Sequence, residues 1–190
     1  KFDEAPLSIS TLVNGESEYT ARLGETLKYS LVYRNNSGVT LNNVSIKAKL
    51  VGEMFNFEAM KTNGMFDSFQ KVVTWNSSNL SELEQVAPRA EGQLEIEVPV
   101  KASFSIKRLS DKNYSLKIDS EISSQTPVPE LGADRLVSIS KLESKVAGMV
   151  ALEAKALYRD AQSGILNKGM FPPKAGQVTQ FTSHWTIRNY

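Results

Sequence analysis

Thr26-Leu27-Lys28-Tyr29-Ser30-Leu31-Val32-Tyr33-Arg34-Asn35 is the stretch that decides the fold class. Leu27, Tyr29, Leu31 and Tyr33 share one parity, and Lys28, Ser30, Val32 and Arg34 share the other. A strand sends alternate side chains to opposite faces, so this run has one dry and one wet face. The same period of two recurs in Val44, Ile46, Ala48 and Leu50, and in Leu94, Ile96, Val98 and Val100. Tyr114, Leu116, Ile118 and Ile122 repeat it once more against Ser115, Lys117, Asp119 and Glu121. Such runs are expected of antiparallel sheets with one covered face.

Turn chemistry separates the runs. Asn35-Asn36-Ser37-Gly38, Asn63-Gly64, Asn76-Ser77-Ser78-Asn79, residues 88–92 and Ser110-Asp111-Lys112-Asn113 all combine residues that tolerate positive φ or bond the local backbone. Short strands with frequent turns predict a β-sandwich. Pro99 sits badly inside a strand and predicts an edge or a bulge there. Residues 81–86 read as one helical turn or as a loop. Residues 146–159 are rich in helix formers, yet the internal comparison below favours strand.

Composition narrows the function classes. The chain has 190 residues, 22 Lys+Arg against 21 Asp+Glu, no Cys and one His. The net charge of +1 supplies no global field for nucleic acid or an anionic membrane. Without Cys there is no disulfide, thiolate nucleophile or Cys-ligated metal. One histidine makes a multi-histidine metal centre impossible. No apolar run approaches the roughly 18 residues of a membrane span. With no initiator Met and no signal-like start, the chain is expected to be a piece of a longer or processed precursor.

The opening of the chain recurs near its end. Arg22-Leu23-Gly24-Glu25-Thr26 leads into the strand ending Tyr33-Arg34-Asn35, and Lys174-Ala175-Gly176-Gln177-Val178 leads into one ending Ile187-Arg188-Asn189. Gly24 to Asn35 spans 11 residues and Gly176 to Asn189 spans 13, and a difference of two preserves strand parity. Residues 7–13 then correspond to 150–157. This predicts tandem modules: a complete one over 1–140, whose last strand covers 135–140 after a loop at Thr126-Pro127-Val128-Pro129, and the N-terminal strands of a second, incomplete one over 141–190. About 50 residues are too few to close a sandwich.

The same residues resemble a known family. Residues 24–35, Gly38 and Leu41-Asn42-Asn43-Val44-Ser45-Ile46 resemble the conserved-repeat domain of unknown function found in tandem on bacterial and archaeal cell-surface proteins. Val73-Thr74-Trp75-Asn76, Leu80 and residues 92–98 are similar to its second half. Phe171-Pro172-Pro173-Lys174-Ala175-Gly176 with the following strand is similar to repeats in long surface proteins of uncultured small-genome bacteria. The resemblance covers roughly 5–105 and 148–190. It implies an immunoglobulin-like sandwich acting as spacer, stalk or adhesive module, without catalytic residues. Ala48 and Val51 stand where the family often has Asp and Pro, which removes any role for that Asp.

Trp75 reads as a core aromatic before it reads as a stacking platform. His184 and Trp185 fall on opposite faces of one strand, and no acid within ten residues orients His184 as a base. Asp67, Asp111, Asp119 and Asp134 are the acids available for a calcium site, but no oxygen-rich loop groups them. Asn35, Asn43, Asn76, Asn79 and Asn113 open Asn-x-Ser sequons. Lys28, Lys47 and Lys49 lie on polar parities, against a buried Lys–acid cross-link. Met54, Phe55, Phe57, Met60, Met65, Phe66 and Phe69 crowd one irregular segment. They read either as a connection folded over one end of the sandwich or as an exposed contact patch.

The expectation is therefore an all-β chain: an immunoglobulin-like antiparallel β-sandwich followed by the first strands of a second similar module. It is expected to be a non-catalytic structural repeat of an extracellular surface protein, with an adhesin or carbohydrate- or protein-binding module as the alternative. No cofactor and no metal are expected. The expected partners are neighbouring modules of the same protein or identical subunits, together with a cell-surface ligand, and neither nucleic acid nor membrane insertion of this segment. The candidate interface residues are Met54, Phe55, Phe57, Met60, Met65, Phe66, Phe69, His184 and Trp185.

Overall fold

The structure is a computed structural model that describes residues 5–103, 114–128, 135–148 and 150–189. The turn expected at 110–113, the sequon at Asn113 and the acids Asp111 and Asp134 lie outside the described residues. The strands are β1 (Leu7–Val13), β2 (Thr20–Ala21), β3 (Thr26–Asn35), β4 (Leu41–Asn42), β5 (Ser45–Val51), β6 (Lys61–Thr62) and β7 (Met65–Asp67). They continue as β8 (Val72–Trp75), β9 (Gln85–Val86), β10 (Glu91–Pro99), β11 (Ser115–Ser124), β12 (Leu136–Val146), β13 (Val150–Leu157) and β14 (Thr182–Asn189). The only helices among the described residues are single 3-10 turns at Phe57–Ala59 and Ser81–Leu83. No helix there is long and apolar enough to cross a membrane.

Two sheets form an immunoglobulin-like β-sandwich. One has the order β1-β3-β10-β6 and the other β2-β12-β11-β5-β8-β7. Pairing is antiparallel throughout except where β2 lies parallel to β12. The inner parities read from the sequence fill the space between the sheets. Leu27, Tyr29, Leu31, Ile46, Ala48, Ile96, Val98, Leu116, Ile118 and Ile122 are wholly buried. Trp75 is buried too, and its indole Nε1 donates to Asn63 Oδ1 at 2.8 Å. Ser120 takes the inner slot between Ile118 and Ile122, and Thr11 Oγ1 donates to its hydroxyl across the core at 3.0 Å. A buried hydroxyl is tolerated there because it is bonded.

The outer face of the six-stranded sheet is a charge lattice. Asp119 lies opposite both Lys49 and Lys141, Glu121 lies opposite Lys47, and Lys117 Nζ meets Glu143 Oε2 at 3.1 Å. Lys28, Lys47 and Lys49 all point outward, as their parity requires.

One expectation needs correction, and others gain detail. The last strand of the sandwich does not stop at Ser140. β12 runs to Val146, and the compact units divide after Ala147, so the expected 140/141 boundary falls inside a strand. Asn63-Gly64 carries the chain from β6 in one sheet to β7 in the other. A Cβ on Gly64 would lie 2.5 Å from Val73 and 2.6 Å from Trp75, so only glycine passes there. Pro99 is the last residue of β10, opposite Thr26, where a missing N–H costs little. Residues 81–86 form both a 3-10 turn and the short strand β9. Residues 150–157 are strand, as the internal comparison favours.

The second unit, Gly148–Tyr190, is the antiparallel hairpin β13–β14 and its connection. Its internal geometry matches the opening of the first unit. Leu7 pairs with Asn35, Ser8 with Arg34 and Ile9 with Tyr33. Val150 pairs with Asn189, Ala151 with Arg188 and Leu152 with Ile187. Gly24 and Gly176 take positive φ, 76° and 78°. Each sits in a turn in which the next residue's N–H reaches back three residues, Glu25 to Arg22 O and Gln177 to Lys174 O, both at 3.2 Å.

Candidate interaction surface

The Met/Phe segment connects β5 to β8, and the structure sorts it by depth. Met54 and Phe55 are core residues, 2% and 1% exposed. The backbone holds them: Lys101 N–H donates to Met54 O and Asn56 N–H to Pro99 O, both at 2.8 Å. Phe57, Met60 and Phe66 pack half-buried on that core. A ring series climbs outward from Tyr29 to Phe55 (6.2 Å), Phe57 (5.5 Å) and Phe66 (5.8 Å, nearly parallel). Lys71 Nζ stands 4.7 Å from the Phe57 centroid, a cation over a π face. Only Met65, 59% exposed on the outer strand β7, and Phe69, 95% exposed, are bare. Most of the segment is thus one end of the sandwich core, and two of its seven residues reach solvent.

Beside this end lies an open groove of about 810 Å³. Lys49, Lys71 and Lys101 line it with Phe55, Phe57 and a single acid, Glu53. Nothing in the sequence pattern gathers these lysines, because they come from three separate segments.

His184 and Trp185 lie in the second unit. Trp185 is 67% exposed, and its indole N–H donates to Ser183 Oγ at 2.8 Å. His184 faces the other way and its Nε2 lies 2.5 Å from Asp160 Oδ2. The acid absent within ten residues is supplied from 24 residues away. Asp160 is itself buried and anchored. The Ser163 hydroxyl, the His184 ring and the Gln162 N–H hold its carboxyl well below the usual range, at about 2. Three donors converging on one carboxylate favour its charged form. Beside them Tyr158, Phe171 and Phe181 form an aromatic triple with centroids 5.0 to 6.3 Å apart. Asn167 Nδ2 ties the connection to Leu157 O, Tyr158 O and Thr182 Oγ1. Sequence reading missed Asp160, Tyr158 and Asn167, since only the β13–β14 register brings them together.

The other candidates separate. Among the described residues no group of three or more His, Asp or Glu side chains converges on a metal position. Asp67 caps its own turn, accepting from the Phe69 and Gln70 N–H groups at 2.8 and 3.0 Å. Asp119 belongs to the charge lattice. The Asn35 sequon is sealed: Asn35 is fully buried, and its Nδ2 donates to Val39 O, Val86 O and Ala87 O.

No family model matches the chain, and no curated protein matches it in sequence. Solved structures do. The CARDB domain of a Pyrococcus furiosus protein, crystallised with di-metal ions, is 10% identical over 76% of this chain and 90% of that one, with a TM-score of 0.44. A cohesin–dockerin complex from Clostridium thermocellum is 9% identical over 77% and 97%, with a TM-score of 0.45. A variant of BcpA, the major pilin subunit of Bacillus cereus, is 11% identical with a TM-score of 0.54. That alignment covers 95% of this chain, which spans 55% of the pilin. At such identities the likeness is one of fold: the chain is an immunoglobulin-like β-sandwich protein.

Proposed function

We propose that this chain is a non-catalytic structural piece of an extracellular surface protein, built from tandem immunoglobulin-like modules that give reach and stiffness. One observation carries the reading. The opening hairpin of the sandwich recurs in the second unit with the same register, the same glycine conformation and the same turn bond. Tandem repetition of one supersecondary unit marks an array. The fold likeness to a pilin subunit supports a surface setting. Trp75 sits in the core, Asp67 caps a turn and Asp160 is bonded to His184. Brief protease treatment of intact producing cells tests the setting. Peptides from this chain are expected in the shaved fraction, and their recovery only after lysis overturns the reading.

The groove lined by Lys49, Lys71 and Lys101 favours a second reading as a binding module for an anionic surface ligand. Retention of the full chain on an acidic polysaccharide column at about 0.15 M salt, lost in a triple Lys→Ala variant, would select it.

A further inference from the structure

We infer that the free edge of β12 is a self-pairing surface, on which a second copy of this chain lays its own β12 antiparallel across a two-fold axis at Ile139. The inference goes beyond the tandem reading and does not rest on it, because β12 lies wholly within the first compact unit. One edge of β12 pairs with β11 from Leu136 to Lys145. On the other edge, among the described residues, β2 pairs only with Lys145 and Val146. Leu136 to Ser144 therefore presents an open edge of the sandwich itself. Unpaired strand edges recruit strands, because each backbone N–H and C=O along them seeks a partner.

The backbone fixes which groups this edge offers. Val146 N–H donates to Tyr114 O on the β11 side, and Ala147 N–H donates to Ala21 O on the other. The ladder with β11 keeps one unbroken register from Lys145 back to Leu136. Successive residues of a strand aim their N–H and C=O groups to alternate sides. Val137, Ile139, Lys141 and Glu143 thus aim theirs at the free edge. A copy of β12 bonds there only with its own odd-numbered residues opposite.

The sequence of β12 selects the occupant. Arg135-Leu136-Val137-Ser138-Ile139-Ser140-Lys141-Leu142-Glu143 is nearly palindromic in its chemistry about Ile139. With Ile139 opposite its own copy, Ser138 faces Ser140, Leu136 faces Leu142 and Arg135 faces Glu143, each twice by symmetry. Val137 faces Lys141, whose methylene stem lies along it. Opposite charges meet and no like charges do, which favours this pairing. Sliding one copy by two residues sets Arg135 opposite Lys141 in one direction and opposite Lys145 in the other. The exposed side chains fit the same axis. Val137 and Ile139 are 48% and 57% exposed beside the charge lattice, and the pairing gathers both aliphatics of each copy at the centre. Ser138 and Ser140, half-buried on the inner face, are small enough for two strands to close over them. An edge contact this short is at the small end of specific interfaces, so it forms at high local concentration.

The chain has no cysteine, so single introduced thiols read the register directly. Residues opposite each other in a hydrogen-bonded antiparallel pair lie about 5.5 Å apart at Cα, within reach of a disulfide. Ile139→Cys, Val137→Cys and Lys141→Cys are each made in the full chain and held concentrated in a glutathione redox buffer. Ile139→Cys is expected to cross-link to its own copy. Val137→Cys and Lys141→Cys are expected to cross-link to each other when mixed, and severalfold less to themselves. Sedimentation velocity of the cysteine-free chain reads the same contact without a cross-link. Ile139→Lys brings two ammonium groups together at the axis and is expected to raise the dimer dissociation constant at least about tenfold. The thermal transition of the dilute chain should stay unmoved, since residue 139 is exposed. Equal self-cross-linking at residues 137, 139 and 141 overturns the pairing. So does a concentrated chain that stays monomeric without a cross-link at 139, and so does a dimer that survives Ile139→Lys. The tandem reading survives each of these outcomes.

Discussion

At the scale of single residues, Asn35 shows how one amide can close a sandwich corner. Its Nδ2 serves the carbonyls of Val39, Val86 and Ala87, and its Oδ1 accepts from the Ser37 N–H and hydroxyl at 3.0 and 2.6 Å. Asn35→Ala leaves these buried partners unmet and is expected to cost about 3 kcal/mol, or roughly 10 °C in the melting temperature of a domain this size. Asn35→Asp is expected to be at least as damaging, because it removes the donor and sets a carboxylate against three carbonyls. Thermal denaturation followed by circular dichroism checks both. Asp160 makes the opposite kind of residue prediction, one of pH. Its carboxyl is lowered in the folded state to about 2. A depressed acid contributes stability that is fully present above its unfolded pKa and is lost as pH falls through the folded value. The second unit is therefore expected to loosen between about pH 4 and pH 2. An NMR titration of the His184 ring should show that step, and Asp160→Asn should erase it.

At the scale of elements, the Met/Phe connection tests whether crowding of apolar residues signals an interface. The structure divides the segment, so substitutions along it should divide as well. Phe55→Ala empties a fully buried site in contact with Tyr29 and Phe57, and is expected to cost about 3–5 kcal/mol. Phe69→Ala removes a ring that is 95% exposed, and should stay within about 0.5 kcal/mol. Equal losses from urea denaturation would show that Phe69 packs in solution and that the surface is not bare there. The same division explains what could be read in advance. β3, β5 and β10 were legible because each sets a run of apolar residues on one parity, and β11 because Leu116, Ile118 and Ile122 hold the parity around the inward Ser120. β12 was read short because its parities are mixed. Val137 and Ile139 face outward at 48% and 57% exposure, while Ser138, Ser140 and Ser144 face inward. The depth order of the Met/Phe segment was not legible, since an irregular connection has no period. Nor was the Asp160–His184 contact, because a contact across 24 residues depends on strand register rather than on spacing.

At the scale of the whole molecule, the question is where the first module ends, and the answer lies in what the end of β12 holds. Alternation and the repeated opening were legible in the sequence, but the end of the first compact unit depends on long-range pairing. The six residues from Lys141 to Val146 bring Leu142 and Ser144 into the interior, at 5% and 0% exposure. They also complete the ladder with β11 from Asp119 back to Ser115. Val146 N–H donates to Tyr114 O at 2.9 Å, and Ala147 N–H to Ala21 O at 2.8 Å. Lys145 and Val146 are the parallel partners of Thr20 and Ala21. Without them β2 has no neighbour in its sheet among the described residues, since it lies at the edge next to β12. A chain ending after Ala147 keeps all of this and should unfold cooperatively with the melting temperature of the main transition in the full chain. A chain ending after Ser140 forfeits a buried leucine and half a ladder. It should be destabilised by at least about 4 kcal/mol, seen as an earlier loss of the near-ultraviolet signal of the buried Trp75. Equal stability of the two shortened chains would mean that β12 contributes nothing beyond Ser140, and the boundary would return there.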